Sequence, residues 1–365
     1  MFPTTYTDIV KRIETVDPIS YGKTRNYIDG DVSYLSPYIS RGVISTRQVM
    51  EITLERGFQT SEIQKFLQEL AWRDYWQLIW LSKDEKIFED LRHPQPQVQH
   101  HEVPSALINA NTGIEAIDTA IEEFYQTGYL HNHVRMYIAS IACNIGKAHW
   151  WAPSQWLYYH LLDGDLASNS LSWQWVAGSN SNKKYFANQE NINKYCNTQQ
   201  SGTFLDVPYE AFNDFDIPER LISTVSFHKE TPLPTSDTLA LKTEVPTLLY
   251  TYYNLDPKWR ENADANRILI LEPSLFKQFP VSKSCIDFTL KLGENIPGLQ
   301  VFVGEFDDFI ASYSPNEIYY KEHPTNSHFE GHEDTRDWMF DVKGYYPSFF
   351  KFWNLAKKEL KQLEA

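Results

Sequence analysis

The sequence predicts a mainly α protein: an all-helical domain over residues 1–205, a connecting segment over 206–244 and a small C-terminal α/β domain over 245–365. Three observations predict it. Apolar residues recur at helical spacing through residues 1–200, with almost no strand-like alternation. Residues 206–244 carry Pro208, Pro218, Pro232 and Pro234 among Ser, Thr and Asp, the composition of a linker. Beyond them, strand-like runs alternate with a helical stretch.

Taken in order, Ser61–Trp80 contains no Gly or Pro and has two faces. Ile63, Leu67, Leu70, Ala71 and Leu78 form an apolar stripe; Glu69, Trp72, Arg73, Trp76 and Trp80 fall on another at i, i+3, i+4, i+7 spacing. Thr112 with Glu115 predicts a capping box opening a helix to about Gln126, which Gly128 stops. A helix follows over 131–148, with Ile138, Ile141, Ala142 and Ile145 as its stripe, and another over 153–162. Val245–Tyr253, Arg267–Leu271 and Leu299–Gly304 read as strands, with a helix at Ser282–Asn295 closed by Ile296-Pro297-Gly298. The β-α-β order implies a small Rossmann-like domain with a parallel sheet. Pro347–Leu363 reads as a last helix, its later lysines favourable to the helix dipole.

Charge and cysteine content narrow the function classes. The formal net charge is −15, but it is divided as −5 over residues 1–200 and −10 over 201–365. The first part can therefore still present a local basic face to a polyanion. Cys143, Cys196 and Cys285 lie far apart, which excludes a disulfide framework and a four-cysteine cluster and predicts a reducing, cytoplasmic compartment. The opening residues lack the apolar stretch of a signal peptide, and no run approaches a membrane span. No phosphate-cradling glycine motif, HExxH, GxSxG or CxxC occurs. Asp163-Gly164-Asp165 fails as a calcium loop because Ala167 stands where the next oxygen ligand belongs. His100, His101, His131 and His133 lack a completing cluster, so no metal site is expected. Aromatics reach 15%, with 11 Trp, 22 Tyr and 21 Phe.

Three segments carry the chemistry: Asp31–Ser45 (DVSYLSPYISRGVIS), Glu69–Trp76 (ELAWRDYW), and Thr112–Trp175 with TGIEAID, TGYLHNHVRM, LLDGDLASNS and WQW. Together they resemble the FAD-binding catalytic domain of the photolyase/cryptochrome family, from about Tyr21 to Tyr185, in the family's order and close to its spacing. The resemblance implies FAD as cofactor, with Tyr21, Val32, Ser33, Tyr34, Leu35, Ser36, Arg73, Asn132, Arg135, Asp163, Gly164, Asp165 and Asn169 binding it. Ser33 and Ser36 offer hydroxyls and N–H groups suited to phosphate. Asn169 matches the residue facing flavin N5, where an amide, unlike a carboxylic acid, cannot protonate the ring. Trp150 and Trp173 match two members of the electron-transfer chain. Trp72 and Trp175 match the rings that sandwich a pyrimidine dimer, Glu69 the carboxylate that bonds it, and Met136 a packing contact. Arg73, Trp76 and His133 complete the implied DNA-facing set. Asn132 and Met136 stand where the enzymes of the 6-4 lesion place histidines, so the resemblance is to the cyclobutane-dimer enzymes.

The departures are specific. Val32 replaces a hydroxyl of the phosphate loop. The outer tryptophan has no match in Gln95–Ser105, where Trp151, Trp156 or a tyrosine are the substitutes. Two family arginines fall at His133 and about Ala187, with Lys183 and Lys184 nearby, which predicts weaker or differently placed phosphate binding. The family's α/β antenna domain has no match ahead of the helical region; the C-terminal block resembles it loosely, so a rearranged antenna-like domain is expected, its chromophore open. The implied function is light-driven repair of cyclobutane pyrimidine dimers in DNA, with single strands among the candidate substrates. The alternatives are a cryptochrome-like photoreceptor without repair and a flavoprotein without a light role. Oligomeric state stays open.

Overall fold

The helical stripes assemble into a unit made of Ile19–Val32 and Ile79–His228; a second unit comprises Met1–Pro18, Ser33–Leu78 and Lys229–Ala365. The computed structural model describes residues 2–363, so 1, 364 and 365 lie outside the described residues. This division differs from three consecutive stretches. Ser33–Leu78 is helical yet groups with the C-terminal part, because Leu255 N donates to Arg41 O (2.9 Å) and Met339 N donates to the Asp74 carboxylate (2.8 Å). At the other boundary, strands β1 (Val103–Pro104) and β2 (Thr224–Val225) pair antiparallel, which ties the front of the expected linker into the helical unit.

In the helical unit, Glu115–Thr127 ends at Gly128, whose φ of +67° lets its N–H reach Phe124 O. Its start corrects the capping-box expectation. Gly113, at φ +80°, turns the chain so that Glu115 is the first helical residue and lies too early to reach back. Asp118 does so instead, accepting from Thr112 N, Thr112 Oγ1 and Gly113 N at 2.7–2.9 Å. The single helix expected over 131–148 is an α-helix, Asn132–Ala139, followed by a π-helical turn, Ser140–Ile145. Side chains of that turn bond another segment: Ser140 Oγ donates to Tyr185 O, and Asn144 Nδ2 donates to Val176 O and Tyr185 O. Turns of this kind recur at functional sites. The next helix is Trp151–His160, two residues earlier than its stripe suggested.

In the second unit, the helix Gln64–Lys83 contributes its residues up to Leu78. The predicted α/β alternation is a five-stranded sheet: β3 (Thr247–Tyr250), β4 (Asn266–Leu271), β5 (Leu299–Val303), β6 (Ile318–Lys321) and β7 (His332–Asp334). The order is β5-β4-β3-β6-β7, with every neighbour parallel. The central β3 is buried throughout, as a strand covered on both faces must be. Lys283–Gly293 is the helix between β4 and β5. The order reverses between β3 and β6, the place where such sheets commonly take ligands. Here that end is filled by the protein itself: the buried Arg41 guanidinium lies 3.7 Å from the Tyr252 ring, and Tyr253 stacks on His323 at 4.4 Å.

Candidate functional site

In the helical unit Arg135 meets the Leu161–Asp165 turn. Arg135 Nη2 donates to both carboxylate oxygens of Asp163 (3.0 and 2.9 Å), and its Nε donates to Leu130 O (2.8 Å). Asp163 is buried and Arg135 half-buried. Asp165 caps the helix Leu166–Ala177 by accepting from Ser168 N (2.7 Å). Gly164 separates the two carboxylates, and any Cβ there would lie 3.1 Å from Leu161 O and the Tyr158 ring. The Asp-Gly-Asp spacing thus assigns one carboxylate to an arginine and the other to a helix start. The capped helix carries Asn169, Trp173 and Trp175. Asn169 Nδ2 donates to Ser154 O (3.0 Å). Next to these two residues, both amide atoms of Gln155 and the Ser170 hydroxyl are buried with no hydrogen-bond partner. Buried polar atoms are rarely left so; a bound polar cofactor such as FAD would satisfy them, and the residues present therefore fit one.

Asn132 opens the helix Asn132–Ala139, with Arg135 one turn on and Met136 packed against the unit's core. His133 sits among aromatic rings. Its ring lies 4.9 Å from Tyr137 and 4.7 Å from Tyr195, and burial together with Arg25 pushes its pKa down to about 4. His131 is pushed equally low by burial, His133 and Arg135. Both are neutral at pH 7, so His133 cannot supply the charge of the arginine it replaces. Tyr21 and Val32 are half-buried in the same unit.

The tryptophans separate by environment. Trp150 is fully buried; its Nε1 donates to Asp90 Oδ1 (2.9 Å) and its backbone N to Gln95 Oε1 (2.8 Å). Its ring meets Trp151 edge-on at 5.4 Å, Trp151 meets Phe88 at 5.9 Å, and Phe88 meets Trp80 at 5.8 Å. Trp173 and Trp156 lie in the same core as Trp150. Trp175, by contrast, is 43% exposed. Sequence reasoning missed Asp90, Gln95 and Phe88, the neighbours of Trp150 and Trp151; the adjacent Trp150-Trp151 pair was the available signal.

The second unit holds the rest. Tyr34, at φ +52°, places Ser33 and Leu35 in a turn ahead of the short helix Ser36–Ser40, and Leu35 N donates to Ser33 Oγ. A left-handed tyrosine is strained backbone of the kind found at functional sites. Arg73 binds this short helix, donating to Ser40 Oγ (2.9 Å) and Ser36 O (3.4 Å). Glu69 pairs with Lys65 at 2.8 Å. Trp72 lies 5.1 Å from Trp76 and is stacked on Phe349 at 3.9 Å. Asp74 was also missed. It is buried, accepts from Thr46 Oγ1 (2.9 Å) and Met339 N (2.8 Å), and burial pushes its pKa up to about 6. Its position on the apolar stripe, between Ala71 and Leu78, was the legible anomaly. Among the described residues no cluster of three metal-ligating side chains occurs, and no helix is long and apolar enough to cross a membrane.

This arrangement is that of a helical cofactor-binding domain with an unusually aromatic interior. Residues 66–208 match the family model of the FAD binding domain of DNA photolyase. The deoxyribodipyrimidine photo-lyase of Agrobacterium fabrum is 28% identical over 186 residues, covering 48% of this chain and 39% of that protein. That of Synechococcus is 30% identical over 174 residues, covering 45% and 36%. That of Thermus thermophilus is 30% identical over 164 residues, covering 43% and 38%. The chain thus spans less than half the length of the curated relatives it matches. Among solved structures, a cryptochrome of Synechocystis is similar at 23% identity and a TM-score of 0.46, covering 53% of this chain and 44% of that one.

Proposed function

We propose that this chain is a FAD-dependent, blue-light-driven photolyase-like lyase that repairs cyclobutane pyrimidine dimers in DNA. The observation that supports it most is the 66–208 match together with its Arg135–Asp163 pair, Asp165 cap and Asn169 in place. When bound, reduced FAD supplies on illumination the electron that opens the dimer and takes it back, with no net redox change. The protein's share is positioning and electrostatics. Asp163 and Arg135 neutralise each other in a fixed geometry. Asn169 offers no acidic proton, and its bond to Ser154 O orients the amide. The Asp90 carboxylate on the Trp150 indole N–H stabilises positive charge on that ring, as a donor to the cofactor requires. Trp72 and Trp175 offer stacking faces, each worth roughly 1–3 kcal/mol per base. An enzyme acting on a base takes it out of the duplex stack, which costs least in single strands.

One observation favours a photoreceptor without repair: a face of Trp72 is already covered by Phe349. The test is light-dependent repair. Chemically reduced protein is mixed with dimer-containing single- and double-stranded oligonucleotides, in blue light and in darkness. Loss of dimers only in the light is expected, faster on single strands; a flavin-loaded protein that leaves dimers intact refutes repair and selects the photoreceptor.

A further inference from the structure

Phe349 lies face to face on Trp72, ring centroids 3.9 Å apart and planes 8° from parallel. The other rings around Trp72 are inclined to it, Tyr75 at 80° and Trp76 at 39°. Near-parallel contact, one of the ordinary aromatic arrangements, is also how a base stacks on an indole. Phe349 is 3% exposed and stands at the first position of the helix Phe349–Leu363.

Both sides of Phe349 are anchored. Upstream, Arg336 Nη1 donates to Gln77 Oε1 (2.7 Å), Arg47 Nε to Trp338 O (2.6 Å), Met339 N to Asp74 Oδ2 (2.8 Å) and the Tyr75 hydroxyl to Tyr346 O (3.0 Å). Downstream, Phe352, Trp353, Ala356 and Leu360 are buried. Between these anchors, residues 342–348 form no helix or strand and include Gly344 at φ +92°. Phe349 therefore sits on the first helical turn, held by Lys351 N and Phe352 N donating to Ser348 O (3.1 and 3.4 Å), and a terminal turn opens at less cost than the body of the helix.

We infer that Phe349 is a built-in occupant of the Trp72 stacking face, a gate that an incoming base displaces by fraying this first turn while the rest of the helix stays docked. The inference rests on the proposed base-stacking role of Trp72. It assigns the C-terminal helix a regulatory part: affinity for a flipped base is set by competition with the chain's own phenylalanine.

The test measures binding in darkness of the full-length protein to a fluorescent single-stranded oligonucleotide carrying one cyclobutane thymine dimer. The proteins are wild type, Phe349→Ala, Phe349→Leu, Trp72→Ala and the double variant Trp72→Ala/Phe349→Ala. Phe349→Ala is expected to tighten binding roughly 10-fold, within the range of one base–aromatic stack. Phe349→Leu keeps the burial without the flat ring and tightens it less, and the gain vanishes once Trp72 is also alanine. Folded Phe349 variants that bind like wild type, while Trp72→Ala binds more weakly, overturn the gate and leave the stacking role standing. Equal binding with and without Trp72 in both backgrounds overturns both. If Phe349→Ala fails to fold, Phe349→Leu decides: tighter binding supports the gate, unchanged binding overturns it.

Discussion

Replacing Asp163 by Asn removes one charge from the Arg135 pair and leaves its shape nearly intact. The Asp163 side chain is 4% exposed and that of Arg135 22%, and a single guanidinium nitrogen bridges both carboxylate oxygens. Removing one partner of a buried pair costs about 3–5 kcal/mol, because the remaining charge is stranded. The partial exposure of Arg135 lets solvent reach that charge, which places the expected loss near the lower end, about 3 kcal/mol. Urea unfolding of the helical unit, followed by circular dichroism, measures this, and flavin absorbance of the purified protein is read in parallel. The variant is expected to be both less stable and nearly free of flavin. The double change Arg135→Met/Asp163→Leu is expected to recover most of the stability, since apolar replacement of a whole pair is often neutral, but not the flavin. A loss below about 1 kcal/mol refutes the stranded-charge argument; a fully yellow Asp163→Asn protein refutes the cofactor role of the pair.

Other outcomes follow from single observations. Asp74 is pushed from 3.8 up to about 6 by burial, so the folded protein holds this proton more tightly than the unfolded chain. Its contribution to stability is present below pH 4 and falls by at most about 3 kcal/mol as pH rises to 6. Asp74→Asn is expected to lose that slope relative to wild type in urea midpoints measured across pH 4–7, and an unchanged slope refutes it. The comparison must be with wild type, because His131 and His133, both lowered to about 4, act oppositely and lose stability as pH falls below 6.5. Trp150→Phe and Trp173→Phe are each expected to slow photoreduction of bound flavin, and normal rates in both sink the electron-chain assignment. Gly42→Ala is expected to destabilise the second unit by well over the roughly 1 kcal/mol of an ordinary glycine substitution. Its φ is +63° and a Cβ would fall 2.4 Å from Tyr253 O; a neutral thermal shift would contradict this.

Several features were legible in the sequence because their causes are local. Helical spacing placed Gln64–Lys83 to within a few residues, and Gly128 marked its helix end because only left-handed backbone could follow. The Asp-Gly-Asp loop stood out as a short motif, and Arg135 one turn from Asn132; that Asp165 caps the next helix came from the structure. The parallel sheet was legible from the β-α-β order of its elements.

The tertiary structure decided everything that depends on a partner distant in sequence. Ser33–Leu78 reads as helix in either unit, and only its contacts assign it to the sheet-bearing one. Asp74 is an anomaly on an apolar stripe until Met339, 265 residues away, supplies the N–H that makes its burial tolerable. His133 looks like a cation beside an HN motif until the loss of water and the nearby Arg25 hold it neutral. Trp72 looks like an open platform until Phe349 is found on its face. Periodicity and motif chemistry determine which elements form and which groups they carry; burial, desolvation and the identity of the neighbour, which set charge state and access, exist only once the chain has closed on itself.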